Sequence, residues 1–131
     1  MLLKDIKKIL TCRSLTSEEL LERDIKYCFG ADLMSDVLRF CKTDSLLLTG
    51  LTNAQVLHVA EIMDLKAIIF IRGKEPDKSI IAQAENKKLQ LLSTKNLMFN
   101  ACGILYENGL RSGKPHLKDK DESRSSLQSI V

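Results

Sequence analysis

The 131 residues include no tryptophan, two tyrosines and four phenylalanines, an aromatic share of 5%. So few aromatic rings speak against the base-stacking platforms of single-strand nucleic-acid binders. Charge of one sign is equally scarce. Twenty Lys and Arg face 17 Asp and Glu, a net of +3. The last 21 residues hold five of the bases (Arg111, Lys114, Lys118, Lys120, Arg124) and three acids, so the rest of the chain is almost neutral. Interspersed charge of that kind is a solubility pattern, and no nucleic-acid partner is expected. No apolar run approaches the roughly 18 residues of a membrane span. The opening Met1-Leu2-Leu3-Lys4-Asp5 places an acid where a secretory signal would stay apolar. Neither membrane nor export is expected, and the cytoplasm is the expected location.

Close-spaced metal ligands are also missing. Cys12, Cys28, Cys41 and Cys102 form no Cys-x-x-Cys pair, and the only histidines are His58 and His116. A zinc site wants paired ligands, and a disulfide framework wants an oxidising compartment. Cysteines inside apolar periodic segments read instead as small buried hydrophobes. No metal and no cofactor is expected.

What the chain does contain is a rhythm. Leu2, Leu3, Ile6, Ile9 and Leu10 recur at helical spacing, and Thr16-x-x-Glu19 has the form of a capping box. Ile25–Phe29 reads as a strand closed by Gly30. Asp32–Cys41 reads as a helix whose buried stripe is Leu33, Val37, Leu38 and Cys41. From residue 45 short apolar runs at Leu46–Leu48, Ala67–Ile71 and Leu89–Leu92 alternate with helices opened by Thr52-Asn53-Ala54-Gln55, by Pro76-Asp77 and near Lys95. Asn108-Gly109 stops the last helix. Strand–helix alternation with short links predicts an α/β sandwich, a single domain over residues 1–110 with a mainly parallel sheet of four or five strands flanked by helices. Residues 111–131, rich in Ser, Lys and Asp, are expected to form a flexible polar tail. The first helix and the last segment carry more apolar residues than a small monomer readily hides. Leu2, Leu3, Met98, Leu105 and Leu110 therefore point to a homodimer interface, the alternative being that they close the monomer's core.

Parallel strands end at one edge, and ligands favour that edge. The predicted strand ends are Gly30-Ala31-Asp32, Thr49-Gly50, Arg72-Gly73-Lys74 and Ser93-Thr94-Lys95, each leading into a helix start. Helix N-termini suit anions, and Arg72, Lys74 and Lys95 add full charge. Candidate ligand contacts are Asp32, Asp36, Thr49, Gly50, Gln55, Arg72, Gly73, Lys74 and Thr94, for a nucleotide or another phosphorylated metabolite. The alternative is that these Thr and Ser are caps and the glycines relieve turns. No P-loop and no Gly-x-Gly-x-x-Gly fingerprint occurs. Asp32 and Asp36 are spaced to share a helix face and hold a hard cation, although capping is the commoner role for acids at a helix start. No catalytic residues are assigned.

The segments Ser45–Gln55 (SLLLTGLTNAQ), Ala67–Pro76 (AIIFIRGKEP) and Leu91–Thr94, with Gly30–Leu38 upstream and Cys102–Gly109 downstream, together resemble the DRTGG domain family over about residues 1–110. The name-giving Asp-Arg-Thr-Gly-Gly is not intact; Thr49-Gly50 and Arg72-Gly73 are its nearest equivalents. The resemblance implies a small α/β module similar to the N-terminal domain of HPr kinase/phosphorylase, regulatory or associative and often self-pairing, with chemistry left to neighbouring domains. Three readings follow: a non-catalytic, self-associating sensor of a phosphorylated ligand; an interaction module for an unidentified protein partner; and a minor enzyme using Asp32, Asp36 and the Arg72 loop.

Overall fold

The computed structural model describes residues 1–113. Ten elements follow in order: α1 (Leu3–Ile9), β1 (Arg13–Ser14), β2 (Cys28–Gly30), α2 (Met34–Phe40), β3 (Leu46–Thr49), α3 (Ala54–Ile62), β4 (Ala67–Phe70), α4 (Lys78–Asn86), β5 (Gln90–Ser93) and α5 (Met98–Glu107), with a 3-10 turn at Glu18–Leu20. The sheet order is β1-β5-β4-β3-β2. Strands β2 to β5 run parallel, with Leu47 opposite Ile68 and Ile68 opposite Leu91. The expected α/β architecture with a mainly parallel sheet is the one observed, with five strands.

Every residue of β3, β4 and β5 is buried, because side chains alternate between two covered faces. Leu47, Ile68, Phe70 and Leu91 pack beneath α2, α3 and α4. Leu46, Leu48, Ile69 and Leu92 pack beneath α1 and α5. The chain therefore starts on one face with α1, lays the three crossovers α2, α3 and α4 on the other, and returns to the first with α5 after β5.

Four helices end alike, and only one uses glycine. Thr11, Asp64, Lys88 and Gly109 take positive φ just past α1, α3, α4 and α5. The next amide then reaches back: Cys12 N–H to the Lys7 carbonyl at 2.8 Å, Leu65 to Ala60 at 2.9 Å, Leu89 to Ala84 at 3.0 Å and Leu110 to Leu105 at 3.1 Å. These are Schellman stops, each followed by an apolar or cysteine residue turned toward the core.

Several expectations change here. The strand β1, antiparallel to β5 through Arg13–Ser93 and Ser14–Leu92, is too short to show periodicity. The cap at residues 16–19 is Ser17, whose hydroxyl accepts from Glu19 N–H, while the Thr16 hydroxyl accepts from Leu91 N–H at 3.0 Å. Asn53 rather than Thr52 caps α3. The buried stripe of α2 is Met34 and Val37, continued by Cys41 just past its end at i, i+3, i+7 spacing, whereas Leu33, ahead of the helix, and Leu38, one position off the stripe, are exposed. Leu3, Leu105 and Leu110 are buried in the monomer and so cannot form an outer surface. Among the described residues the large apolar side chains exposed are Leu33, Leu38, Ile62, Leu97, Phe99 and Tyr106. Leu110 is buried, and the Arg111 carbonyl accepts from Cys28 N–H at 3.0 Å; of the tail expected over residues 111–131, residues 114–131 lie outside the described residues, His116 among them.

All four cysteines are free thiols. Burial pushes the Cys12 thiol up to about 12, against a smaller pull from Lys7. Burial likewise pushes Cys28 up to about 11, with Cys102 and Cys41 adding to the rise. Their neutral forms are favoured by the fold, so stability is full below the unfolded thiol value and is lost as pH rises from there through about 11 to 12. Alkylation by iodoacetamide at pH 8 is expected to be slow for Cys12 and Cys28 in the native chain and fast in urea, as peptide mapping would show.

Candidate functional site

The C-terminal edge of the sheet gathers most of the residues singled out in the sequence, in two linked clusters. The first joins β2 and β3. The Asp32 carboxylate accepts from the Thr49 hydroxyl at 3.0 Å and from Gly50 N–H at 2.7 Å. The same Thr49 oxygen accepts from Leu51 N–H at 3.1 Å. Thr49 is fully buried and Asp32 exposed, so the carboxylate reaches inward to hold the loop. Because α2 starts at Met34, Asp32 lies ahead of the helix, and the shared helical face expected for Asp32 and Asp36 does not form. Among the described residues no three or more His, Cys, Asp or Glu side chains group to hold a metal ion.

The second cluster joins β4 and β5. Arg72 takes φ 60° and Gly73 φ 69°, two left-handed residues in succession, which for arginine costs about 1 kcal/mol or more. Two backbone bonds hold that turn: Arg72 N–H to the Asn96 carbonyl at 2.9 Å and Gly73 N–H to the Thr94 carbonyl at 2.8 Å. The Arg72 guanidinium then folds back over Gly50, close to where a Cβ would stand, and this contact links the two clusters. Lys74 is exposed and its carbonyl accepts from the Ser93 hydroxyl at 3.0 Å.

Thr94 is used by the fold itself. Buried, it donates to the Leu10 carbonyl at 2.7 Å and accepts from both Asn96 N–H (3.2 Å) and the Asn96 side-chain amide (2.9 Å). Asn96 also donates to Leu10 at 3.0 Å, so the end of α1 is pinned to the β5–α5 loop. Gln55 is exposed in the first turn of α3, where its backbone N–H is taken by Asn53. Asp36 is half-buried on α2, outside both clusters. Asn96, Thr11 and Asn100 were not singled out in the sequence. A Thr-x-Asn turn hints at Asn96, but its anchor lies 86 positions away in the chain.

Beside these clusters opens a cleft of about 570 Å³, bounded by Thr11, Arg13, Gly73, Glu75, Lys95 and Asn100. It sits where the fold predicts one: the β4 loop turns to the face carrying α4, the β5 loop to the face carrying α5, and diverging loops leave a crevice between them. Arg13 and Glu75 pair across the rim, one of their contacts at 3.1 Å. The N-terminus of α5 opens nearby without a side-chain cap, Leu97 preceding it. Unpaired N–H groups and the positive end of the helix dipole, next to Lys95, suit an anion.

Comparison with known proteins agrees with this architecture. No curated protein matches the chain at a significant level. Among solved structures, the CBS and DRTGG domains of the regulatory region of Clostridium perfringens pyrophosphatase, complexed with the activator diadenosine tetraphosphate, superpose with a TM-score of 0.64 at 17% identity. The match covers 79% of this chain and 45% of that one, so this chain spans under half of the pyrophosphatase region. At that identity the likeness establishes the fold. The sequence itself matches the model of the DRTGG domain over residues 5–107, and the chain belongs to the DRTGG domain family.

Proposed function

We propose that this chain is a regulatory module without catalytic activity of its own, which senses a phosphorylated small molecule, a nucleotide among the candidates, at the C-terminal edge of its sheet and self-associates. The observation that carries this reading is the cleft at the diverging β4 and β5 loops, with the uncapped start of α5 and Lys95 at its rim. Its volume falls within the range of small-molecule pockets. Arg72 and Lys74, both exposed on the adjoining loop, can supply further charge. The pyrophosphatase neighbour carries this fold within a regulatory region that was captured with a nucleotide activator, which supports the same class of ligand here.

A non-catalytic role is supported by how the polar groups are employed. Asp32 is committed to Thr49 and Gly50, and Thr94 to Leu10 and Asn96. The four free thiols suit a reducing compartment such as the cytoplasm. A second reading, a protein-interaction module with no small ligand, is favoured by the exposed Phe99 and Tyr106.

Thermal denaturation separates the two. A phosphorylated ligand at about 100 times its Kd stabilises the native state by about 2.7 kcal/mol, and the corresponding rise in Tm is expected with ATP or a sugar phosphate but not with the unphosphorylated nucleoside. Lys95→Ala and Arg72→Ala should each weaken binding about tenfold or more, the scale of a lost charge-assisted hydrogen bond. No shift with any phosphorylated compound at millimolar concentration would favour the interaction module.

A further inference from the structure

We propose that Glu75 is a built-in competitor of the ligand for Arg13: its carboxylate holds the place on the guanidinium that a phosphate group of a diphosphate or polyphosphate takes on binding. The inference rests on the reading of the cleft at the β4 and β5 loops as the ligand site, and it adds how entry to that site is regulated. Arg13 stands on β1 and Glu75 on the loop between β4 and α4. They meet at two points across the rim, Arg13 Nε donating to one carboxylate oxygen at 3.1 Å and Nη2 to the other. A guanidinium offers the same pair of parallel N–H groups to a carboxylate and to a phosphate, so the two anions compete for one fork. Among the described residues that line the cleft, Glu75 is the single acid, facing Arg13 and Lys95.

The exchange asks little of the fold. The pair stands in solvent, the Arg13 side chain 67% and the Glu75 side chain 35% exposed, and an ion pair so placed contributes little to stability. Both backbones are fixed. Arg13 is held opposite Ser93 of β5. Ahead of Glu75, Lys74 N–H donates to the Ile71 carbonyl at 3.1 Å and the Lys74 carbonyl accepts from the Ser93 hydroxyl at 3.0 Å. Behind it stands the buried Pro76, which keeps residue 75 extended. Only the two side chains need turn, and no loop has to open. Charge decides which anion wins. A terminal phosphate carries about two negative charges near pH 7 and meets Arg13, Lys95 and the start of α5 together, whereas the single charge of Glu75 is met by Arg13. Glu75 thus sets a threshold that a multiply charged ligand passes.

Isothermal titration of the full chain with inorganic pyrophosphate at low ionic strength tests this, on the unaltered protein, Glu75→Gln, Arg13→Gln and the double variant. Glu75→Gln should tighten binding about three- to tenfold, the opposite of what losing a structural contact does. Arg13→Gln should weaken it about tenfold. In the Arg13→Gln background the gain from Glu75→Gln should fall below about twofold, because a competitor with nothing to compete for has no effect. Both side chains are exposed, so each variant should melt close to the unaltered protein. A Glu75→Gln protein whose affinity is unchanged or lowered, or a gain of about twofold or more that persists without Arg13, overturns the competition and leaves the ligand site standing. Absence of binding by all four proteins overturns the proposal together with the ligand reading.

Discussion

Replacing Phe70 with alanine is expected to lower the free energy of unfolding by about 3–5 kcal/mol. The ring is 1% exposed, stands at the end of β4, and packs among Leu47, Ile68 and Leu91 beneath α3 and α4. Truncation there leaves a cavity that a sheet hydrogen-bonded on both sides of β4 cannot close. Against a total stability on the order of 5–15 kcal/mol, such a loss is a large fraction. The consequence extends to the site. The Phe70 carbonyl accepts from Thr94 N–H at 2.9 Å, and Phe70 lies two residues before Arg72, so a loosened strand end also loosens the rim of the cleft. Urea denaturation should show a lower midpoint with an unchanged slope, and ligand-induced stabilisation should shrink as well.

Leu105→Ala should cost about 2–5 kcal/mol, while Phe99→Ala, six positions earlier on the same helix, should stay within about 0.5 kcal/mol in dilute protein. The contrast follows from placement. Leu105 is fully buried between α5 and the sheet with Leu46, Leu48 and Ile69, whereas Phe99 is almost wholly in solvent. Thermal melts at the lowest workable protein concentration check this expectation.

Much of the fold was legible because the strands are continuous apolar runs. Leu46–Leu48 and Ala67–Ile71 can be buried on both faces only in a parallel sheet covered by helices, and the links are short enough to fix strand order. What the sequence hid has identifiable causes. Two residues, Arg13 and Ser14, carry no period; their place is set by contacts with β5 across the chain, including the Gln90 amide on the Ser14 hydroxyl at 2.8 Å. Helix ends closed by Thr11, Asp64 and Lys88 in the left-handed region give no glycine signal. Apolar residues on α5 could not be sorted into core and surface until its rotation was known. That is why Leu105 was expected at an interface and Phe99 was not.

The candidate site was legible as an edge but less so as a set of side chains. Strand ends and helix starts located Asp32, Thr49, Gly50, Arg72 and Gly73 in one region. Sequence spacing could not reveal that Asp32 braces the β3 loop, that Arg72 covers Gly50, or that Thr94 spends its hydroxyl on Leu10. Those bonds join segments 17 to 84 positions apart.

A phosphorylated ligand bound at the C-terminal edge of the sheet should be visible residue by residue in NMR spectra of the protein. With the full chain labelled with nitrogen-15 and titrated with ATP and with inorganic pyrophosphate to millimolar concentration, the predicted result is saturable shifts of the amides of Gly73, Lys95, Asn96, Phe99 and Asn100, with smaller ones at Gly50. Shifts confined to another part of the molecule, or none with either compound, would contradict it.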